Sequence, residues 1–145
     1  MTKPNILVLC TGNSCRSQMA EGYLRHYADD RFSAHSAGSA PAGSIHPLAI
    51  QVMQEDGIDI SGQRSKHLKE FLGRMPLRYL IIVCDSASRN CPSTWPGLQE
   101  KLAWPFDDPA AFQGSEQDRL TEFRRVRDQI KAHILSWLES QGDPQ

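Results

Sequence analysis

Long hydrophobic runs are missing from this 145-residue chain. Its two longest uninterrupted apolar stretches, Ile6–Cys10 and Tyr79–Cys84, stop far short of the roughly 20 residues that span a bilayer. No membrane span and no membrane partner is expected. Charge of one sign is missing too: sixteen Lys and Arg against seventeen Asp and Glu leave a formal charge of -1, which supplies no overall field to draw in nucleic acid. Any anion site must therefore be local. The opening residues, Met-Thr-Lys-Pro-Asn, lead into one short apolar run without the longer segment and small-residue cleavage site of a secretory signal, so the expected address is cytoplasmic. No repeat, low-complexity tract or linker divides the sequence. At 145 residues it matches the usual size of one domain, and residues 1–145 are expected to form a single domain and a monomer.

Metal-ligand spacing is also scarce. There is no Cys-x2-Cys pair, and His26, His35, His46, His67 and His133 are scattered, which argues against zinc; no metal is expected. No dinucleotide fingerprint occurs, and no cofactor is expected. The sequence does hold four cysteines, Cys10, Cys15, Cys84 and Cys91. In a reducing compartment these are thiols, metal ligands or redox groups rather than permanent staples.

Asn5–Cys10 is an apolar run too short for a helix and rich in branched residues, the pattern of a strand buried on both faces. After the loop Thr11–Arg16, apolar residues at Met19, Ala20, Tyr23, Leu24 and Tyr27 recur at helical spacing. Residues Arg31–Ala37 predict a second strand, and 38–47 a Gly/Pro/Ser-rich loop. A helix starting near Pro47 and closing at Gly57 follows, then a short helix over Ser65–Leu72. Tyr79–Cys84 is a second fully buried strand and Gln99–Trp104 a short further one. Leu120, Phe123, Val126, Ile130, Ile134, Trp137 and Leu138 form the stripe of a long amphipathic helix, with Arg124, Arg125 and Arg127 on its solvated face. Alternating strands and helices imply an α/β, doubly wound parallel sheet with helices on both faces. In such sheets ligands bind beyond the carboxyl ends of the strands, where Cys10 and Cys84 both stand.

Cys10 and Arg16 form a Cys-x5-Arg spacing, a weak sign by itself. Its context strengthens it: a buried strand precedes the loop, a helix follows, and Gly12 with small polar neighbours lets the backbone curl its N–H groups inward. Those N–H groups, the positive end of the helix dipole and the Arg16 guanidinium converge on a tetrahedral oxyanion. The same field lowers a thiol pKa, which makes Cys10 a thiolate nucleophile in line with the anion's central atom, with Ser17 as a donor to its sulfur.

The run Cys10-Thr-Gly-Asn-Ser-Cys-Arg-Ser17, continued by Gln18-Met-Ala-Glu-Gly22, resembles the signature of the low-molecular-weight protein tyrosine phosphatase superfamily. The continuation, together with Ser36-Ala-Gly38, His46-Pro47, Gly57-Ile-Asp-Ile-Ser61 and the 84–109 segment, is most similar to the thioredoxin-coupled arsenate reductase branch. The resemblance covers nearly the whole chain. It implies a single four-stranded sheet of order 2-1-3-4 and an oxyanion loop of Thr11, Gly12, Asn13, Ser14, Cys15, Arg16 and Ser17 that takes arsenate and competing phosphate. In it Asn13 braces the loop, Cys15 is structural, and Asp108, the Asp directly before Pro109, is the general acid. The phosphatase branch commonly carries an aromatic residue after that Pro; Ala110 stands here.

The resemblance further implies that Cys10 attacks arsenate, that Cys84 then attacks Cys10 with release of arsenite, that Cys91 opens the Cys10–Cys84 disulfide, and that thioredoxin reduces the resulting Cys84–Cys91 bridge. Were residues 84–91 helical when reduced, seven residues at 1.5 Å would set the two cysteines roughly 10.5 Å apart, too far for a disulfide, so that segment is expected to rearrange on oxidation. Some members of this branch bind potassium through residues matching Asn13, Glu21 and Ser36 and an acidic side chain, whose place here is Lys66. The competing reading is a phosphatase hydrolysing phosphate monoesters through a Cys10 phosphoenzyme. A third is a thiol module that binds arsenite or senses oxidants without turnover. Glutaredoxin is the alternative electron donor.

Overall fold

The computed structural model describes residues 3–83 and 98–141. Cys84, Cys91 and the expected rearrangement of 84–91 lie outside the described residues.

Four parallel strands, β1 (Asn5–Cys10), β2 (Ser33–Gly38), β3 (Tyr79–Ile82) and β4 (Glu100–Ala103), form one sheet in the order β2-β1-β3-β4. The order follows from right-handed crossovers that step outward to β2 and then back past β1, which places successive crossovers on opposite faces. Ile6, Leu7, Val8 and Leu9 have no exposed surface, so both faces of β1 are covered, as its uninterrupted apolar run requires. The switch in strand order falls at β1, whose neighbours are β2 and β3. Cys10 ends this central strand opposite Gly38 of β2.

Helix α1 (Arg16–Ala28) follows the β1 loop, α2 (Pro47–Glu55) follows β2, and α3 (Glu116–Gln141) closes the described chain. The α3 stripe Phe123, Val126, Ile130, Ile134 and Leu138 is buried. Nearby, Trp137 stacks on Phe32 and meets Tyr79 and Trp104 edge-on. No described helix is long and apolar enough to cross a membrane.

Two expectations need correction. The helix expected over Ser65–Leu72 is only a single 3-10 turn, Leu68–Glu70, capped by the His67 side chain. The preceding residues are extended because their backbone bonds go elsewhere: Gly38 N donates to Lys66 O at 2.8 Å, and Lys66 N donates to Asn13 Oδ1 at 2.8 Å. Nor is Arg127 solvated; its side chain is 14% exposed and donates to Val52 O at 2.9 Å and Glu55 Oε1 at 3.0 Å. Arg124 pairs with Glu55, and Arg125 with Glu122 and Asp107, at the surface where such pairs contribute little.

His46 links the fold to the site. Its backbone N–H donates to Ser14 O at 3.0 Å, and its ring Nδ1 caps α2 by accepting from Leu48 N at 3.1 Å. Burial, with the Arg119 guanidinium adding to it and Asp108 opposing, lowers its pKa below the usual 6.5. Folding therefore favours the neutral ring. Its contribution is complete above the unfolded-state value and is lost as pH falls towards the folded one. Melting temperature should accordingly fall between about pH 7 and pH 5.5, the range in which an ordinary histidine gains its proton. His46→Asn, which retains a capping acceptor, should flatten part of that fall. An identical pH dependence in thermal melts of the two proteins would contradict this.

Candidate active site

The loop after β1 turns at Asn13, whose φ of +49° lies in the left-handed region. Asparagine is one of the few side chains that adopts it readily. Gly12 has no such φ, so the turn's special conformation belongs to Asn13 and not to the glycine that composition singles out. Glycine is instead required at Gly38, where a Cβ would collide with Thr11 O and press on Asn13.

The loop's carbonyls are drawn away from its interior. Ser39 N donates to Cys10 O, Ala40 N to Thr11 O, Ala42 N to Gly12 O and His46 N to Ser14 O, at 2.8–3.2 Å. Asn13 O accepts from Gln18 Nε2 at 3.0 Å, and Cys15 O from Met19 N at 2.9 Å. A loop whose carbonyls are held outward turns its N–H edge inward, which is the geometry of an anion nest. Helix α1 then starts from Cys15 with no side-chain cap and no acidic residue in its first turn. Its positive end remains available to an anion.

Residues 10–16 line one side of a cavity of about 270 Å³, with Asp108 and Ala110 on the other. Arg16 is nearly buried. Its Nη1 donates to Phe106 O at 3.0 Å, its Nη2 stands 3.5 Å from Asp108 Oδ2, and its Nε is buried with no hydrogen-bond partner among the described residues. A buried guanidinium donor left unpaired is costly unless a ligand completes it. Asp108 Oδ1 accepts from Ala110 N at 3.0 Å, capping the turn Pro109–Ala111. Asp107 points elsewhere, to Arg125 at 3.0 Å. Cys10 and Cys15 are both buried thiols. Burial pushes the Cys15 thiol up to about 11, so it stays protonated at neutral pH, with Ser14 Oγ 3.7 Å from its sulfur. A larger hollow of about 600 Å³ lies between Phe106 and His133, but neither described thiol, Cys10 or Cys15, lines it. Size is therefore a poorer guide than chemistry.

Ser17 lies behind the loop, its Oγ accepting from Asn13 Nδ2 at 2.9 Å, which leaves its hydroxyl proton to donate elsewhere. Asn13 Nδ2 also donates to Ser36 Oγ at 2.9 Å, and Ser36 Oγ to Glu21 Oε1 at 2.6 Å. Glu21 is buried and meets Arg25 Nε at 2.9 Å and Lys66 Nζ at 3.8 Å. Lys66 is itself buried, donates to Arg64 O at 2.6 Å, and has its pKa lowered by burial. Two tethered cations thus already face the one carboxylate among Asn13, Glu21 and Ser36. With its one carboxylate already compensated, that donor set offers little net charge to attract an added potassium ion. Among the described residues no group of three or more His, Cys, Asp and Glu could hold a metal. Phosphate affinity and turnover should be the same in sodium and potassium salts at constant ionic strength; a several-fold stimulation by potassium would contradict this charge balance.

Sequence reasoning missed three contributors. Gln18 and Gln63 were unassigned, although a glutamine one turn into a helix among buried neighbours signals a committed hydrogen-bonding role. The Phe106 carbonyl that steadies Arg16 is backbone and leaves no trace in residue identity.

Residues 5–143 match the model of the low molecular weight phosphotyrosine protein phosphatase family. The chain belongs to this family. An arsenate reductase of Halalkalibacterium halodurans is 43% identical over 141 residues, 97% of this chain and 99% of that protein. A solved arsenate reductase in the phosphate-binding state superposes with a TM-score of 0.79 at 31% identity, covering 94% of this chain and 98% of the other. A thioredoxin-dependent arsenate reductase of Corynebacterium glutamicum superposes with a TM-score of 0.61 at 30% identity, over 93% of this chain and 64% of that one.

Proposed function

We propose that the protein is an arsenate reductase that uses Cys10, Cys84 and Cys91 in turn and is regenerated by thioredoxin in the cytoplasm. The observation that carries the oxyanion reading is the Arg16 guanidinium, whose buried Nε has no partner among the described residues, in the wall of the cavity that Cys10 and Asp108 also line. A tetrahedral oxyanion supplies the missing acceptor. Near-full-length similarity to arsenate reductases supports arsenate as that anion.

In this reading the Cys10 thiolate attacks arsenic. One arsenate hydroxyl leaves as water on taking a proton from Asp108, and Arg16 with the loop amides holds the remaining oxygens. Cys84 then attacks the Cys10 sulfur. The sulfur–arsenic electron pair stays on arsenic, which leaves as arsenite, and a Cys10–Cys84 disulfide forms. Val83 N donates to Leu9 O at 3.1 Å, which brings the described chain beside the end of β1 one residue before Cys84. Attack by Cys91 on Cys84 frees Cys10 and leaves Cys84–Cys91, to which the thioredoxin dithiol returns two electrons. The name of the Corynebacterium relative supports that donor.

The same cradle binds phosphate, so the redox steps set the outcome. Ala110 at the cavity rim offers no ring against which an aryl phosphate would stack. With thioredoxin, thioredoxin reductase and NADPH, the protein should oxidise NADPH continuously on addition of arsenate. Cys10→Ser should lower that rate by roughly a thousandfold or more, the scale on which loss of a nucleophile acts. Cys91→Ser should abolish sustained turnover while sparing slow hydrolysis of p-nitrophenyl phosphate. Ester hydrolysis without NADPH oxidation in the folded, fully reduced protein would establish the phosphatase instead.

A further inference from the structure

Asn13 has no exposed surface, and its side chain uses both ends: Nδ2 donates to Ser17 and Ser36, and Oδ1 accepts from Gln18 Nε2 at 2.9 Å and Lys66 N at 2.8 Å. Gln18 is equally buried. Its Nε2 also reaches Asn13 O at 3.0 Å and Arg64 O at 2.9 Å, so three acceptors share the two hydrogens of one amide nitrogen. Every one of those acceptors is an oxygen. Were the Gln18 amide rotated by half a turn, its own oxygen would face all three, and Asn13 would lose two of its bonds.

Gln63 prevents that rotation. Its Nε2 donates to Gln18 Oε1 at 2.8 Å and to Gln18 O at 3.0 Å, which requires the Gln18 oxygen to point towards Gln63 and the nitrogen towards Asn13. Residue 63 belongs to the same extended segment that sends Lys66 N to Asn13 and Ser65 Oγ to Gly12 O. Asparagine enters the left-handed region more easily than most residues, yet it is fixed there only where surrounding contacts hold it.

We propose that Gln63 and Gln18 are positioning residues for the oxyanion loop: Gln63 sets the orientation of the Gln18 amide, and Gln18 holds Asn13 in the left-handed turn that aims the loop amides at the anion. The inference rests on the reading of residues 10–16 as an oxyanion cradle. Neither glutamine lines that cavity, so both act through Asn13. Loss of either removes preorganisation. The bound anion would then have to order the loop itself, which weakens affinity more than it slows the step that follows.

The test compares wild type, Gln63→Met and Gln18→Met. Inorganic phosphate binding is measured by calorimetry, KM and kcat for arsenate in the thioredoxin-coupled assay, and stability by thermal melts. Gln63→Met, at a half-exposed position, should weaken phosphate binding and raise KM by about tenfold. Its kcat should stay within about twofold of wild type, and it should remain fully folded. Unchanged phosphate affinity in a folded Gln63→Met protein overturns the proposal, as does an equal fall in kcat with no change in KM. If Gln18→Met fails to fold, Gln63→Met alone decides. A wild type that binds phosphate yet reduces no arsenate removes the reductase reading, while the phosphate arm still tests this one. A wild type that binds no phosphate overturns both.

Discussion

The site depends on one backbone turn, the left-handed conformation of Asn13 between the end of β1 and the start of α1. The chain must leave the centre of a fully buried sheet, curl within five residues and enter a helix. The carbonyls of that curl are satisfied from outside by segment 39–46, by Gln18 and by the first turn of α1. The conformation is unfavourable in isolation and is repaid by a side chain with every hydrogen bond made. From this turn follow the outward carbonyls of the loop and the need for glycine at position 38.

A second layer of constraint is charge. The protein as a whole is nearly neutral, yet charged side chains are paired on both sides of the loop. Behind it, Glu21 is neutralised by Arg25 and Lys66 in a buried network with Asn13 and Ser36. In front, Arg16 has Asp108 and the Phe106 carbonyl but keeps one buried donor unmatched among the described residues. Among the described residues, the front of the loop is thus where a buried cationic donor still lacks an acceptor. A reaction that begins with binding an oxyanion beside a thiol needs that asymmetry, because the field that holds the anion also favours the thiolate.

Much of this was legible in the sequence, for identifiable reasons. Ile6–Cys10 allowed few alternatives to a two-sided buried strand, and the break at Gly12 followed by helical periodicity fixed where β1 ends and α1 starts. The parallel sheet followed from alternation of element types, and its strand order from resemblance. What could not be read are pairings distant in sequence and carried by backbone: Lys66 N on Asn13, Gly38 N on Lys66 O, Arg16 on Phe106 O. These same bonds turned the expected helix at 65–72 into an extended brace. Arg127 misled for a related reason, since a charged residue on a polar helix stripe gives no hint of a carbonyl waiting on α2.

The most direct test of this account is the pH dependence of thiol alkylation in the reduced protein, resolved by peptide mass, with and without inorganic phosphate. Cys15 serves as an internal control, because burial holds it protonated up to about pH 11. The account predicts that Cys10 reacts with iodoacetamide at pH values well below the ordinary thiol range near 8.5, that phosphate protects it, and that Cys15 stays unmodified throughout. A Cys10 that titrates as an ordinary thiol and gains no protection from phosphate would contradict it.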